Sequence, residues 1–152
     1  MITIVPFSEN NKEYLKLLNY EWLEKYFFVE ENDVLQLSNP QEEIIDKGGK
    51  IYFALLNNVV VGTSTLMKVS DNEYELAKMA VTEKVQGLGI GKILLEHCLQ
   101  EAKNMGATKV SLFSNTKLSA AIGLYLNYGF TQVDLPADIH YERANIKMEK
   151  KL

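Results

Sequence analysis

The clearest pattern in the chain is a helical one. From Asn11 to Phe28 the apolar residues Tyr14, Leu15, Leu17, Leu18, Trp22, Leu23 and Tyr26 recur at three- and four-residue spacing. Ser8 stands ahead of this run as a candidate N-cap, and residues 2–5 alternate weakly, as in a short strand. Glu30 to Asp33 reads as an acidic break. Pro40 opens a second, shorter helical stretch that ends at Gly48-Gly49, with proline at its first turn and glycine past its last. The pattern then turns to β. Ile51–Leu56 and Val59–Thr63 are β-rich runs joined by Asn57-Asn58, residues that tolerate positive φ, and together they predict a tight hairpin. Asp71-Asn72 predicts a further turn into a strand over Tyr74–Val81.

Past residue 85 the pattern changes again. Gln86–Gly91 opens a long amphipathic helix with Ile90, Leu94, Cys98, Ala102 and Met105 on one side and Lys92, Glu96 and Lys103 on the other. Gly106 ends it. Lys109–Phe113 reads as a strand. A helix that returns the chain to the same sheet implies a right-handed crossover and a parallel strand pair. A last helix spans about Leu118 to Tyr128, and strands follow at Phe130–Val133 and Asn145–Glu149. The expected fold class is α/β: a mixed sheet of six or seven strands, mostly antiparallel with a parallel central pair, flanked by about four helices.

Composition narrows the chemistry. The 152 residues are 47% hydrophobic and 24% charged, a balance that excludes wholesale disorder and fits one domain over 1–152. The net charge of −4 argues against a broad nucleic-acid-binding face. One cysteine (Cys98) and two histidines (His97, His140) exclude an internal disulfide framework and leave little for a metal centre, so no metal is expected. No signal peptide and no membrane-length apolar run is seen, and the expected location is cytoplasmic.

The candidate chemistry centres on Gly87, Gly89 and Gly91. Alternating glycines before a helix let the backbone approach a ligand closely and present free N–H groups where the helix dipole favours an anion, which implies phosphate or pyrophosphate. A dinucleotide fingerprint is excluded because Lys92 stands where its spacing fails. A nucleotide P-loop is excluded because Gln86 replaces its first glycine and Ile93 follows Lys92.

Gln86-Gly87-Leu88-Gly89-Ile90-Gly91 resembles the Arg/Gln-x-x-Gly-x-Gly/Ala signature of the GNAT superfamily of acetyl-CoA-dependent N-acetyltransferases. Met79-Ala80-Val81 resembles the end of that family's fourth strand. Asn115 through Phe130, with Leu124-Tyr125 and Gly129-Phe130, is similar to its second conserved block. Tyr141-Glu142-Arg143 to Met148 resembles the tail of many bacterial members. Residues 74–130 carry the resemblance, and the first fifty match by element order.

The resemblance implies a single-domain N-acetyltransferase that moves an acetyl group from acetyl-CoA to a primary amine by direct attack in a ternary complex. The alternative is a non-catalytic acyl-CoA sensor or interaction module on the same fold. Residues 87–92, that is Gly87, Leu88, Gly89, Ile90, Gly91 and Lys92, are expected to hold the pyrophosphate, with Gln86 closing the approach. Met79, Ala80 and Val81 are expected to pair with the pantetheine through backbone, and an N–H near Val81 to hold the oxyanion.

Tyr125 is the expected acid for the departing thiolate, or else an aromatic in a core stripe. Glu75 is either the base for the ammonium or a solvated strand residue, and Lys78 is a partner or a snorkelling chain. Asn115 reads as a cofactor contact or a turn residue. Cys98 falls in the apolar stripe and is read as inert, and His97 as structural. The acceptor site is expected between the first two helices and the loop before the last strand. Trp22, Tyr26 and Glu30 are its candidates, with Asp33 beside them and His140 in reach. The acceptor is a small-molecule or protein amine. Neither nucleic acid nor membrane is expected as a partner, and a homodimer follows family habit.

Overall fold

The computed structural model describes residues 1–139 and 141–152. His140, and the expectation that it lines the acceptor pocket, lies outside them. The elements in chain order are β1 (Ile2–Pro6), α1 (Lys12–Tyr26), α2 (Glu31–Ser38), a π-type turn (Gln41–Ile45), β2 (Lys50–Leu56), β3 (Val59–Ser70), β4 (Glu73–Val81) and a 3-10 turn (Glu83–Val85). Then come α3 (Ile90–Asn104), β5 (Lys109–Ser114), α4 (Ser119–Asn127), β6 (Thr131–Val133) and β7 (Ile146–Lys151). One seven-stranded sheet runs β1-β2-β3-β4-β5-β7-β6. Only β4 and β5 pair in parallel; every other neighbouring pair is antiparallel.

The alternation of β2 shows how the layers form. Ile51 and Phe53 pack with Leu15, Leu23 and Leu37 of α1 and α2. Tyr52 packs with Leu95 and Cys98 of α3, and Ala54 with Ile90 and Leu94. Successive side chains point to opposite faces, so α1 and α2 cover one face of the sheet while α3 and α4 cover the other. Residues 51–54 are therefore buried on both faces and read as a continuous apolar run. Asn57 and Asn58 adopt φ of 50° and 68°, which closes the β2–β3 hairpin as expected.

Four local expectations are corrected. Helix α1 starts after Asn11, and Ser8 is not its cap; the Ser8 backbone N–H instead donates to the Asn11 side-chain oxygen at 2.8 Å. The acidic stretch at 30–33 is the start of helix α2, in which the Asp33 carboxylate accepts the Glu30 N–H at 2.9 Å. Acidic residues suit a helix N-terminus, which the apolar spacing alone did not reveal. Strand β3 runs on to Ser70 instead of stopping at Thr63. Its apolar pattern is interrupted by buried Thr63, Ser64 and Thr65; Thr63 Oγ1 donates to the Tyr52 carbonyl at 2.9 Å, and Ser64 Oγ accepts from Cys98 Sγ at 3.1 Å. The last strand is Ile146–Lys151, one residue later than read and two residues longer at its end.

Gly49 marks a close approach of backbone to backbone. A Cβ there lies 2.7 Å from the Leu66 carbonyl oxygen and 2.9 Å from the Ile44 carbonyl oxygen. Neither neighbour is the free end of a flexible side chain, so the strand or the turn must shift. Gly49→Ala is expected to destabilise the fold by about 1–3 kcal/mol, the cost typical of overpacking. Urea unfolding checks this, and an unchanged midpoint contradicts it.

Candidate active site

The parallel pairing of β4 with β5 covers only Glu73–Glu75 against Lys109–Ser111. Past that point both strands continue, β4 to Val81 and β5 to Ser114, but they no longer pair with each other. The β5-facing edge of β4 is left without a strand partner, and a cleft of about 450 Å³ opens between the two. Its floor is β4 from Glu75 to Val81, and one wall is Phe113–Asn115 with the start of α4 and Tyr125. The opposite wall is Trp22, Tyr26 and Phe27 at the end of α1, together with Tyr141, Arg143 and Ala144.

Strand β4 does not keep a simple alternation. Tyr74 and Leu76 face α3 and α4, so Glu75 faces α1 and α2. Continued alternation assigns Lys78 to the α3 face. Instead Lys78 adopts φ of 52°, the only non-glycine positive φ among the described residues outside the β2–β3 hairpin turn. The β3 register slips there, with Thr63 opposite Ala80 but Thr65 opposite Ala77. This bulge swings Lys78 to the α1–α2 face and Met79 and Val81 to the α3 face. A Cβ on Gly91 lies 3.8 Å from Met79 Cε and 4.0 Å from Val81 Cγ2, so both side chains reach the start of α3.

The glycine loop stands at that end of the cleft. Gly87 and Gly89 have φ of 88° and 76°, which L side chains rarely adopt, and a Cβ on either meets nothing within 4 Å. Gly89 caps α3, and its carbonyl accepts the Ile93 N–H at 3.1 Å. The N–H groups of the first turn, from Ile90 on, have no helical acceptor ahead of them. Gln86 lies against the cleft, its side-chain amide 3.4 Å from the Val81 carbonyl. Lys92 and Leu88 are exposed and Ile90 is buried, so Ile90 offers only its backbone. The spacing of the glycines, read from sequence, thus corresponds to an open cradle of backbone donors.

Tyr125 lines the cleft from α4, 8% exposed, its ring centroid 5.7 Å from that of Phe130. Burial pushes its phenol up to about 12, with the neighbouring Cys98 adding to the rise. Burial likewise pushes the Cys98 thiol up to about 12. That thiol is fully buried and stays protonated at neutral pH, which bars it from nucleophilic work. Glu75 lies in the cleft floor, 6% exposed; the reading of it as a solvated strand residue is corrected. His97 stacks edge-on against Tyr52 at 4.5 Å, in keeping with a structural role.

The acceptor side departs most from the sequence reading. Lys78 does not snorkel: its side chain is 2% exposed, and its Nζ donates to Asp33 Oδ1 at 2.8 Å and to the Tyr141 hydroxyl at 3.1 Å. Asp33 is fully buried and also accepts Arg143 through Nη1 at 2.6 Å and Nη2 at 2.9 Å. Burial by itself raises the Asp33 carboxyl, but the Arg143 and Lys78 cations outweigh it and hold it below the usual value.

Glu30 is not in the cleft. Its carboxylate accepts Arg143 Nη1 at 2.9 Å and the backbone N–H of Glu142 at 2.9 Å, and it borders a broad, shallow depression beside α2 that holds none of this chemistry. Glu30 and Asp33 are therefore engaged by Arg143 and Lys78 and are not free charges in the cleft. Trp22 and Tyr26 do line the cleft, with Trp22 beneath the Arg143 guanidinium at 5.7 Å. Asn115 lines it too, but its side chain donates to the Arg143 carbonyl at 2.7 Å and accepts the Lys117 N–H at 2.9 Å, so it ties the wall together. Sequence reasoning missed Arg143 and Tyr141 as site residues. Their only signal was the Tyr141–Arg143 segment in the tail, with nothing local to indicate Asp33 as the partner.

Among the described residues no helix is long and apolar enough to cross a membrane. The sequence profile of the Acetyltransferase (GNAT) family matches residues 16–130. The chain is 29% identical over 101 residues to the uncharacterized N-acetyltransferase YvbK of Bacillus subtilis, an alignment that covers 64% of this chain and 65% of that protein, short of two thirds of its length. The fold superposes on an acetyltransferase of the GNAT family from Staphylococcus aureus Mu50 with a TM-score of 0.89, 25% identity and 99% of both chains covered. It also superposes on the PaiA N-acetyltransferase of Thermoplasma acidophilum, solved in complex with coenzyme A, with a TM-score of 0.77, 19% identity, and 100% of this chain and 99% of that one covered. With its splayed parallel pair, its glycine cradle and a family profile that spans most of its length, this chain belongs to the GNAT family of acetyltransferases, enzymes of acyl transfer.

Proposed function

We propose that the chain acts as one domain that transfers an acetyl group from acetyl-CoA to a primary amine by direct attack in a ternary complex. The observation that carries this reading is one cleft that holds an unpaired β4 edge, a buried carboxylate and a buried phenol, with an open glycine cradle at its end. The backbone donors of Gly87–Lys92 take the pyrophosphate, with Gln86 at their edge. The Met79–Val81 edge pairs with the pantetheine amides as a strand does, and an N–H near Val81 holds the thioester oxygen as it becomes an oxyanion. Asn115 shapes the wall beside the cofactor arm, and Trp22 and Tyr26 shape the acceptor side.

Glu75 accepts a proton from the ammonium, directly or through water, and the free amine attacks the thioester carbonyl. The C–N bond forms, the C–S bond breaks, and Tyr125 gives its proton to the sulfur. A phenol near 12 is a weaker acid than a thiol near 8.5, so the transfer is concerted with C–S cleavage, and the phenolate regains a proton, directly or through water, from the attacking nitrogen, which must shed one more to become the amide. The inert state of Cys98 favours this direct route over an acyl-enzyme.

A thermal shift with acetyl-CoA, CoA and NAD in parallel tests the reading. A ligand at a hundred times its Kd stabilises by about 2.7 kcal/mol, which for this length is a rise of about 5–10 °C. The expected result is a rise with both CoA species and none with NAD. No rise with either CoA species removes the cofactor and the roles of Tyr125 and Glu75 with it. A rise then leads to an amine panel assayed by released thiol.

A further inference from the structure

We propose that Lys78 is a positioning residue of this site: its buried ammonium fixes the left-handed turn in β4 that aims the Met79–Val81 edge at the acyl-CoA thioester. The proposal rests on the acyl-CoA reading above and extends it to a residue that does not touch the reacting atoms.

A lysine at φ of 52° in the middle of a strand is a costly conformation. Such a residue persists only where its surroundings over-determine it. Here they do so from three elements. Asp33 of α2 and the Tyr141 hydroxyl hold the ammonium, and Asn19 of α1 donates its side-chain amide to the Lys78 carbonyl at 3.4 Å. Asn19 is itself fully buried, and its oxygen accepts the Trp22 indole N–H at 3.2 Å. The anchor is rigid because Asp33 is clamped by both nitrogens of Arg143, and the Tyr141 hydroxyl donates to Gln36 at 3.0 Å.

The consequence is a change of face. Without the extra residue, alternation from Leu76 turns Met79 and Val81 away from the glycine loop, since a slip of one residue reverses every following side chain. The same slip rotates the intervening N–H and C=O groups. A buried ammonium set between a carboxylate and a phenol thus decides which backbone groups of β4 look into the cleft. Charge balance makes the device tolerable, with Lys78 and Arg143 set against Asp33 and Glu30. It also links the acceptor wall, through α2 and the Tyr141–Arg143 segment, to the cofactor edge.

The test separates the two halves of the cofactor site and needs no acceptor. Titration calorimetry gives Kd for acetyl-CoA and for 3′-phosphoadenosine 5′-diphosphate, which carries the phosphates but lacks the pantetheine. Wild type is expected to bind both; if it binds neither, the acyl-CoA reading fails before Lys78 is tested. Lys78→Met is expected to weaken acetyl-CoA about tenfold, the loss of a hydrogen bond or two, while the fragment stays within about twofold. Lys78→Arg, which keeps a cation for Asp33, is expected to recover most of the loss. Equal weakening of both ligands, or of neither, overturns the proposal, because a merely structural lysine affects both halves alike. If Lys78→Met does not fold, Tyr141→Phe takes its place, since it removes a single hydroxyl and leaves Asp33 on the ammonium. A selective loss for acetyl-CoA there, of about threefold, supports positioning, and unchanged affinity for both ligands overturns it.

Discussion

Tyr125→Phe is expected to lower amine turnover by about a hundredfold or more, the range of a lost general acid, while acetyl-CoA affinity stays within about twofold. The phenylalanine keeps the ring, its packing on Phe130 and its place in the core shared with Cys98. Only the hydroxyl is lost, and no described residue depends on it for a hydrogen bond. The substitution is therefore isosteric for the fold and selective for the chemistry. Because burial holds the phenol up to about 12, it remains protonated throughout the working range. The wild-type rate is expected to show no alkaline fall from this residue up to about pH 10. Stopped-flow thiol release on both proteins checks the two statements together. Equal turnover removes Tyr125 from the mechanism, and a parallel loss of affinity assigns it to binding instead.

Asp33→Ala is expected to cost about 3–5 kcal/mol of folding stability, since it leaves the Lys78 ammonium buried without its carboxylate. That is a large share of what a domain of this size has in total, about 5–15 kcal/mol. The expected pH dependence has a definite sign. The folded Asp33 carboxyl lies below its ordinary 3.8, so its contribution is fully present above about pH 4 and is lost as pH falls through the folded value. Urea unfolding of wild type and variant across that range is expected to show a gap that is wide at pH 7 and narrows in acid. A gap that is small at pH 7, or constant down to pH 2, shows that the carboxylate does not hold the cluster in its ionised form. Glu30→Gln is expected to do less, because Arg143 keeps both of its bonds to Asp33.

The hairpin at Asn57-Asn58 and the cradle at Gln86–Gly91 were legible because both depend on local sterics: asparagine and glycine go where φ is positive, and the surrounding run names the element. The stripe of Ile90, Leu94, Cys98 and Ala102 was legible because a helix facing a sheet repeats every three or four residues. Helix α2 was not, because its signal is a set of acids, and acids are also what a solvated turn contains. Buried Asp33 differs from a surface aspartate only through Lys78 and Arg143, 45 and 110 residues away.

Glu75, Lys78 and the cleft itself belong to the second kind. Period-two alternation fixes relative faces within a strand, but not which face is covered or where the period slips. The slip at Lys78 is stabilised by α1, α2 and the segment before β7, none of which is near it in sequence. The gap between β4 and β5 arises because pairing stops at Glu75 while both strands continue, and neither strand's residues encode that alone.

By itself, then, the sequence determined the layered α/β class and the open glycine loop ahead of α3, because these follow from backbone sterics and short-range periodicity. Only the tertiary structure decided that Glu75 is buried in the cleft, that Glu30 and Asp33 are spent on Arg143 and Lys78, and that β4 turns its edge toward the glycine loop. Those outcomes are set by the desolvation of charges and by contacts between distant segments, which exist only once the chain has closed on itself.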